Sequence, residues 1–222
     1  MIYLDNAATS FHKPDCVPRA VVEAMQHAGN SGRGSSGEAM AASRLIFNTR
    51  CQIAEMFDVW GPECVAFTSN DTEALNIALQ GTLHPEEETI HAICTEMDHN
   101  SVLRPLYRLE KKGMELTILP ADRKGRISLT ELEAAIRPET KVIVCTHASN
   151  LTGNLNDIHA IGAIAQKHQK LFIVDAAQTA GVFPISMKKD HIDILCFSGH
   201  KGLWGPRAQE LSVFGQGYLW SL

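Results

Sequence analysis

The stretch that decides the fold is Leu171-Phe-Ile-Val-Asp175-Ala-Ala-Gln178, read with Ile192-Asp-Ile-Leu-Cys-Phe197-Ser198-Gly199-His200-Lys201-Gly202 downstream of it. Each piece begins as an apolar run of strand length and ends in polar residues. The first run delivers an aspartate, and the second delivers Ser, His and Lys in a glycine-flanked turn. Strands that discharge reactive side chains at their carboxyl ends mark a parallel α/β sheet, where ligands collect.

Outward from this stretch, strand-like and helix-like segments alternate along the chain. Val65–Thr68 is a short apolar run, and 72–79 has helical spacing that closes at Gly81. Residues 89–94 read as a strand, 101–112 as a helix stopped by Gly113, and 115–119 as a strand. Ser128-Leu-Thr-Glu131 is a capping box opening a short helix that stops at Pro138. A strand over 141–145, a helix over 157–168 and strands over 171–174 and 192–197 complete the pattern. Such alternation predicts βαβ units: an α/β, three-layer αβα fold with a mostly parallel sheet covered on both faces. The polar clusters Thr68–Thr72, Asp98–Asn100, His147–Asn150, Asp175–Gln178 and Ser198–Lys201 each follow a strand directly. Five strand ends are therefore expected to converge on one site. Between two helical segments, Gly29–Gly37 is rich in glycine and serine, which suits either a flexible connection or an active-site loop.

Composition narrows the class of function. The 222 residues suffice for one large α/β domain or at most two small ones. A net charge of −5 supplies no basic surface for nucleic acid, and no acidic tail is present. Ten histidines show neither HExxH nor C2H2 spacing, so no metal site is expected. The six cysteines are scattered without a CxxC pair, and Cys94, Cys145 and Cys196 lie in apolar runs as small buried hydrophobes. No signal peptide and no membrane-length apolar segment is visible, which makes the cytoplasm the expected compartment.

The chemistry rests on a few side chains, each with an ordinary alternative. Lys201 is either an exposed turn lysine or, if desolvated, a neutral amine able to form a Schiff base with an aldehyde. Asp175 ends four apolar residues, where an unpaired carboxylate would cost several kcal/mol. It needs a cationic partner such as a protonated pyridine nitrogen, unless it simply caps a following turn. Gln178 and Asn150 are candidate donors to a phenolic oxygen, or structural loop amides. Asp71 and Thr72 open a helix whose first N–H groups can take a phosphate or be plainly capped, and Ser198 and His200 can complete such a phosphate cup. His99, after one strand and before a helix, can stack on an aromatic ring and move protons near neutral pH. A lysine and an aspartate so placed are together what a pyridoxal 5'-phosphate (PLP) enzyme needs.

At this point the residues form a recognisable series. The chain resembles the class V aminotransferase group of fold-type I PLP enzymes, and within it the bacterial cysteine desulfurase family proteins. The likeness is carried by Tyr3-Leu-Asp-Asn-Ala-Ala-Thr9, Gly32-Arg-Gly34, Phe67-Thr-Ser-Asn-Asp-Thr-Glu-Ala-Leu-Asn76 and Met97-Asp-His-Asn-Ser-Val-Leu-Arg-Pro105. It continues through Thr146-His-Ala-Ser-Asn-Leu-Thr-Gly153, Val174-Asp-Ala-Ala-Gln-Thr-Ala-Gly181 and Phe197-Ser-Gly-His-Lys-Gly-Leu203. The resemblance implies a PLP-binding large domain over 1–206, with a segment of about 1–15 that packs on a smaller second domain. It also implies that Lys201 carries the cofactor covalently, Asp175 holds the pyridine nitrogen, His99 stacks on the ring, and Asn150 and Gln178 bind its phenolic oxygen. Asp71, Thr72, Ser198 and His200 would hold the phosphate. Asp71 departs from the small or hydroxyl residue usual there, and only its backbone N–H suits an anion.

The implied activity converts L-cysteine to L-alanine and passes the sulfur to an enzyme cysteine, with Lys201 and His99 handling protons. The implied assembly is a homodimer that can hand sulfur to an acceptor protein. Selenocysteine lysis, transamination of a small amino acid, or PLP binding without turnover remain alternatives on the same fold. The pattern breaks after Gly205-Pro206, where the family continues x-Gly-Thr-Gly-x-Leu and then into the small domain. Residues 207–222 carry no likeness, and a back-translation shifted by two bases restores Gly-Thr-Gly-Ala-Leu. A frameshift near Pro206 is therefore expected, with 207–222 non-native and the small domain missing. The sulfur-accepting cysteine and the arginine for the substrate carboxylate are expected beyond the chain's end, leaving the chain weak or inactive. Cys196, on the strand before Lys201, is no substitute.

Overall fold

In the computed structural model the alternation becomes a seven-stranded sheet with helices on both faces; residues 2–32, 34–86 and 89–206 and the backbone of 210–214 are described. Helices α1 (Cys16–His27) and α2 (Gly37–Met56) precede a single 3-10 turn (Pro62–Cys64) and strand β1 (Val65–Thr68). Then follow α3 (Asp71–Thr82), β2 (His91–Thr95), α4 (Asn100–Glu110), β3 (Glu115–Leu119), α5 (Leu129–Ala135) and β4 (Thr140–Thr146). After these come α6 (Ile158–Lys167), β5 (Leu171–Asp175), β6 (Ile194–Ser198) and β7 (Glu210–Phe214). The strand order is β1-β7-β6-β5-β4-β2-β3. The ladders from β3 through β6 are parallel, while β7 runs antiparallel to both β6 and β1.

Period-two alternation splits the apolar strand residues between two cores. Ile143, Cys145, Phe172, Val174, Leu195 and Phe197 face one side with Ile158 and Ile161 of α6, Leu132 of α5 and Ile53 of α2. Val142, Val144, Ile173, Ile194 and Cys196 face the other, under Leu75 and Leu79 of α3 and Val102 and Leu106 of α4. Cys94, Cys145 and Cys196 are buried in these layers, and Cys64 joins them. The Ser128 hydroxyl accepts from Glu131 N at 3.2 Å and opens α5, as its capping sequence predicts.

Three differences from the sequence reading have local causes. Helix α3 runs through Gly81 to Thr82, because Leu83 is buried and its N–H still bonds Leu79 O at 3.1 Å. Strand β6 starts at Ile194 rather than Ile192, because the Asp193 carboxylate itself takes the Phe172 N–H at 2.8 Å. Strand β7 falls within 207–222, where no element is expected from the sequence; its first four residues, Glu-Leu-Ser-Val, alternate polar and apolar, and the backbones of β1 and β6 both pair with the strand. The remainder of 207–222 lies outside the described residues. At the other end of the chain, Ser10 N and Oγ both bond His200 O, at 3.2 and 3.0 Å, while Ile2, Leu4 and Phe11 stay exposed. No described helix is long and apolar enough to cross a membrane.

Candidate active site

The carboxyl ends of β1, β2, β4, β5 and β6 surround one cavity of about 320 Å³. Its walls include Asp71, Thr72, His99, Asn150, Asp175, Gln178, Ser198, His200 and Lys201, so every candidate residue read from the sequence lines the same space. In particular, Lys201 and Asp175 face one cavity and not different sides of the molecule.

Each wall is fixed by local chemistry. After β1, the Asn70 carboxamide accepts from Glu73 N at 2.8 Å and caps α3, which sets Asp71 and Thr72 in the first helical turn. The positive end of a helix thus borders the cavity. After β2, His99 caps α4: its Nδ1 accepts from Ser101 N at 3.2 Å and contacts the Ser101 hydroxyl. With Nδ1 accepting, the neutral ring carries its proton on Nε2. After β5, one hydrogen of the Gln178 amide goes to Ala7 O at 3.0 Å, leaving the second for another acceptor. After β6, His200 Nδ1 meets Thr9 Oγ1 at 2.9 Å, and half-buried Lys201 follows. The lysine turn lies backbone-on-backbone against the loop after β5. A Cβ at Gly202 would come within 2.3 Å of Ala180 O, so only glycine allows this approach.

Asp175 is 3 % exposed, and its Oδ1 accepts from Ala177 N at 2.9 Å. Burial raises its affinity for a proton, against which the Ala177 N–H and the positive charges of Lys201 and His99 act. A buried carboxylate that lines the same cavity as an amine and an imidazole suits a heterocycle with a cationic nitrogen.

Sequence reasoning missed the N-terminal wall, Ala7 and Ala8, and Ser101 beneath His99. The motif 3–9 marks that wall, but its partner His200 lies 191 positions from Thr9, beyond any local signal. Among the described residues no cysteine lines the cavity. A larger hollow of about 1010 Å³ lies at the amino ends of the strands, bordered by Thr140, Lys141, Lys170 and Leu171. Its Lys170 already bonds Pro138 O and its Lys188 pairs with Asp58, so we assign the chemistry to the smaller cavity.

Sheet order and strand-end cavity define an α/β protein with the architecture of PLP-dependent transferases. The chain belongs to the class-V aminotransferase family, whose model matches residues 2–207. It is 35% identical over 210 residues to the cysteine desulfurase IscS of Vibrio atlanticus, covering 93% of this chain and 51% of that protein. Among solved structures, it is similar to the apo cysteine desulfurase of Thermococcus onnurineus (TM-score 0.91, 32% identity, 97% of this chain and 54% of that one). It is also similar to SspA in complex with cysteine (TM-score 0.87, 31% identity, 96% and 61%). The chain thus spans about half the length of the curated relatives it matches.

Proposed function

We propose that this protein is a PLP-dependent enzyme of the cysteine desulfurase kind, taking sulfur from L-cysteine and leaving L-alanine. The observation that carries the reading is the convergence of Lys201, Asp175, His99 and a helix N-terminus on one cavity of about 320 Å³. The similarity to cysteine desulfurases supports it. Bound there, PLP supplies an electron sink that weakens the bonds at the substrate Cα. Lys201 Nζ would hold the cofactor through its aldehyde and would move the proton at the substrate Cα. Asp175 would hold the proton on the pyridine nitrogen, and its burial keeps water from competing for that hydrogen bond. His99 would pack on the ring and offer Nε2–H for proton movement, while Asn150 and the spare Gln178 hydrogen would bind the phenolic oxygen. Thr72, Ser198, His200 and the Asp71 backbone would hold the phosphate.

The sulfur acceptor within the enzyme is a thiol supplied from outside the described cavity walls, since none of those walls is a cysteine. A homodimer, a protein that takes the sulfur onward and a cytoplasmic setting belong to the same proposal. So does a displaced reading frame after Pro206, which DNA sequence across that codon tests: an intact frame ends the idea.

Adding PLP to the purified chain is expected to produce the visible absorbance that PLP gains on joining a lysine amine, and Lys201→Ala is expected to abolish it. Alanine and sulfide released from cysteine, measured against keto acid, separate sulfur removal from transamination. The chain by itself is expected to bind PLP with little turnover. An unchanged spectrum in Lys201→Ala overturns the assignment.

A further inference from the structure

Asp98 has no role in the scheme above, yet few side chains beside the cavity are held as tightly. It is 6 % exposed, and both of its oxygens are engaged. Oδ2 accepts from Thr95 N at 2.7 Å and from Thr95 Oγ1 at 2.8 Å, and Oδ1 accepts from Thr146 N at 2.6 Å. Thr95 ends β2, and Thr146 ends β4. Thr146 in turn stands in register with Asp175 on β5, and the next residue, His147, donates its N–H to Asp175 O at 2.8 Å. One carboxylate therefore fastens the turn that carries His99 to the strand that borders Asp175.

We propose that Asp98 is a positioning residue, holding His99 and Asp175 in fixed register around the cavity; this rests on the PLP reading of that cavity. Three contacts converge on two oxygens, and two of them, from the N–H groups of Thr95 and Thr146, each need an acceptor oxygen of their own, which a carboxyl group supplies. An asparagine offers one oxygen and turns an NH2 group against the N–H of either Thr95 or Thr146, so one half of the clamp opens whichever way the amide lies. Burial pushes the Asp98 carboxyl up to about 7, helped by the charge of Asp175 and opposed by the Thr95 and Thr146 donors. Around it stand the buried thiols of Cys94 on β2 and Cys145 on β4, both raised by burial and by Asp98, and Asp175 on β5. Lys201 and His99 offset the charge of Asp175. Below neutral pH a proton on Asp98 Oδ2 is donated to Thr95 Oγ1, whose hydroxyl accepts as well as donates, while the N–H groups of Thr95 and Thr146 keep their acceptors; as pH rises through neutrality the clamp becomes charge-assisted.

The test follows the His99 ring resonances and the Thr146 amide by NMR in the chain without added PLP, and then measures PLP affinity. In the wild type the Thr146 amide is expected to titrate near pH 7, and in Asp98→Asn that inflection vanishes and the His99 resonances move. PLP then binds roughly tenfold to a hundredfold more weakly, the size of one lost charge-assisted hydrogen bond. Thr95→Val, which removes the hydroxyl that contacts Asp98 and accepts from Met97 N but keeps the Thr95 and Thr146 N–H contacts, shifts the same signals in the same direction by less, and it decides the matter if Asp98→Asn does not fold. Folded variants with wild-type His99 resonances overturn the positioning role, whatever happens to stability. If the wild type takes up no PLP, the cofactor reading fails, while the His99 and Thr146 signals still decide whether Asp98 positions its neighbours.

Discussion

His91 lies at the amino end of β2, fully buried, with Nδ1 2.7 Å from Thr140 Oγ1 and Nε2 2.8 Å from Thr117 Oγ1. It bridges β3, β2 and β4, and burial lowers its affinity for a proton. Its folded-state pKa therefore sits below the ordinary 6.5, so the unfolded chain binds the proton first and stability is lost as pH falls through that range. Asp98 acts in the opposite sense: with its folded pKa raised to about 7 from 3.8, its contribution is full in acid and is lost as pH rises to neutrality. Urea melts at pH 5, 6 and 7 separate the two, since His91→Gln flattens the acid-side loss and Asp98→Asn flattens the neutral-side loss. The nine cavity residues were legible in the sequence because each follows an apolar run at a strand's end. The positions of Asp98, Ser101 and Thr9 relative to them were not. Asp98 reaches Thr146, 48 positions on, and Thr9 reaches His200, so their meaning comes from strand order and not from neighbouring residues.

Among the elements, α6 has the closest approach. A Cβ at Gly162 would lie 1.9 Å from the carbonyl oxygen of Asp190, so this helix is seated on the loop before β6 by the absence of a side chain. Alanine in a helix interior ordinarily gains about 1 kcal/mol over glycine. Here the overlap reverses the sign, and Gly162→Ala is expected to destabilise the fold by about 1–3 kcal/mol in denaturant melts, the usual range for overpacking. The approach of α6 at Gly162 to the Asp190 carbonyl is thus a backbone contact that hydropathy cannot announce. The parallel strands β2 to β6 were legible because their apolar runs are bounded by helical stretches. β7 was not: only its first four residues alternate polar and apolar, and so short a pattern becomes a strand only where two unpaired edges await it.

For the whole molecule, the two cores are complete around β2 to β6, but the first helices are not similarly covered. α1 buries no residue, and Met25 is 81 % exposed; Met40, Leu45 and Phe47 of α2 also face outward. Exposed apolar side chains are open to association with other apolar surface. A fluorescent dye that reports exposed apolar surface should bind the native chain, and Leu45→Ser with Phe47→Ser should reduce that binding while the unfolding free energy from urea melts stays within about 0.5 kcal/mol of wild type. Strand β1 joins the sheet through β7 alone, with Val65 beside Val213. During synthesis, Val65 leaves the ribosome about 150 codons before its ladder partner Val213 exists, so β1 waits as an open edge until β7 has emerged. A lesion that removes 210–213 therefore costs β1 its described ladder as well, although the two lie far apart in the gene.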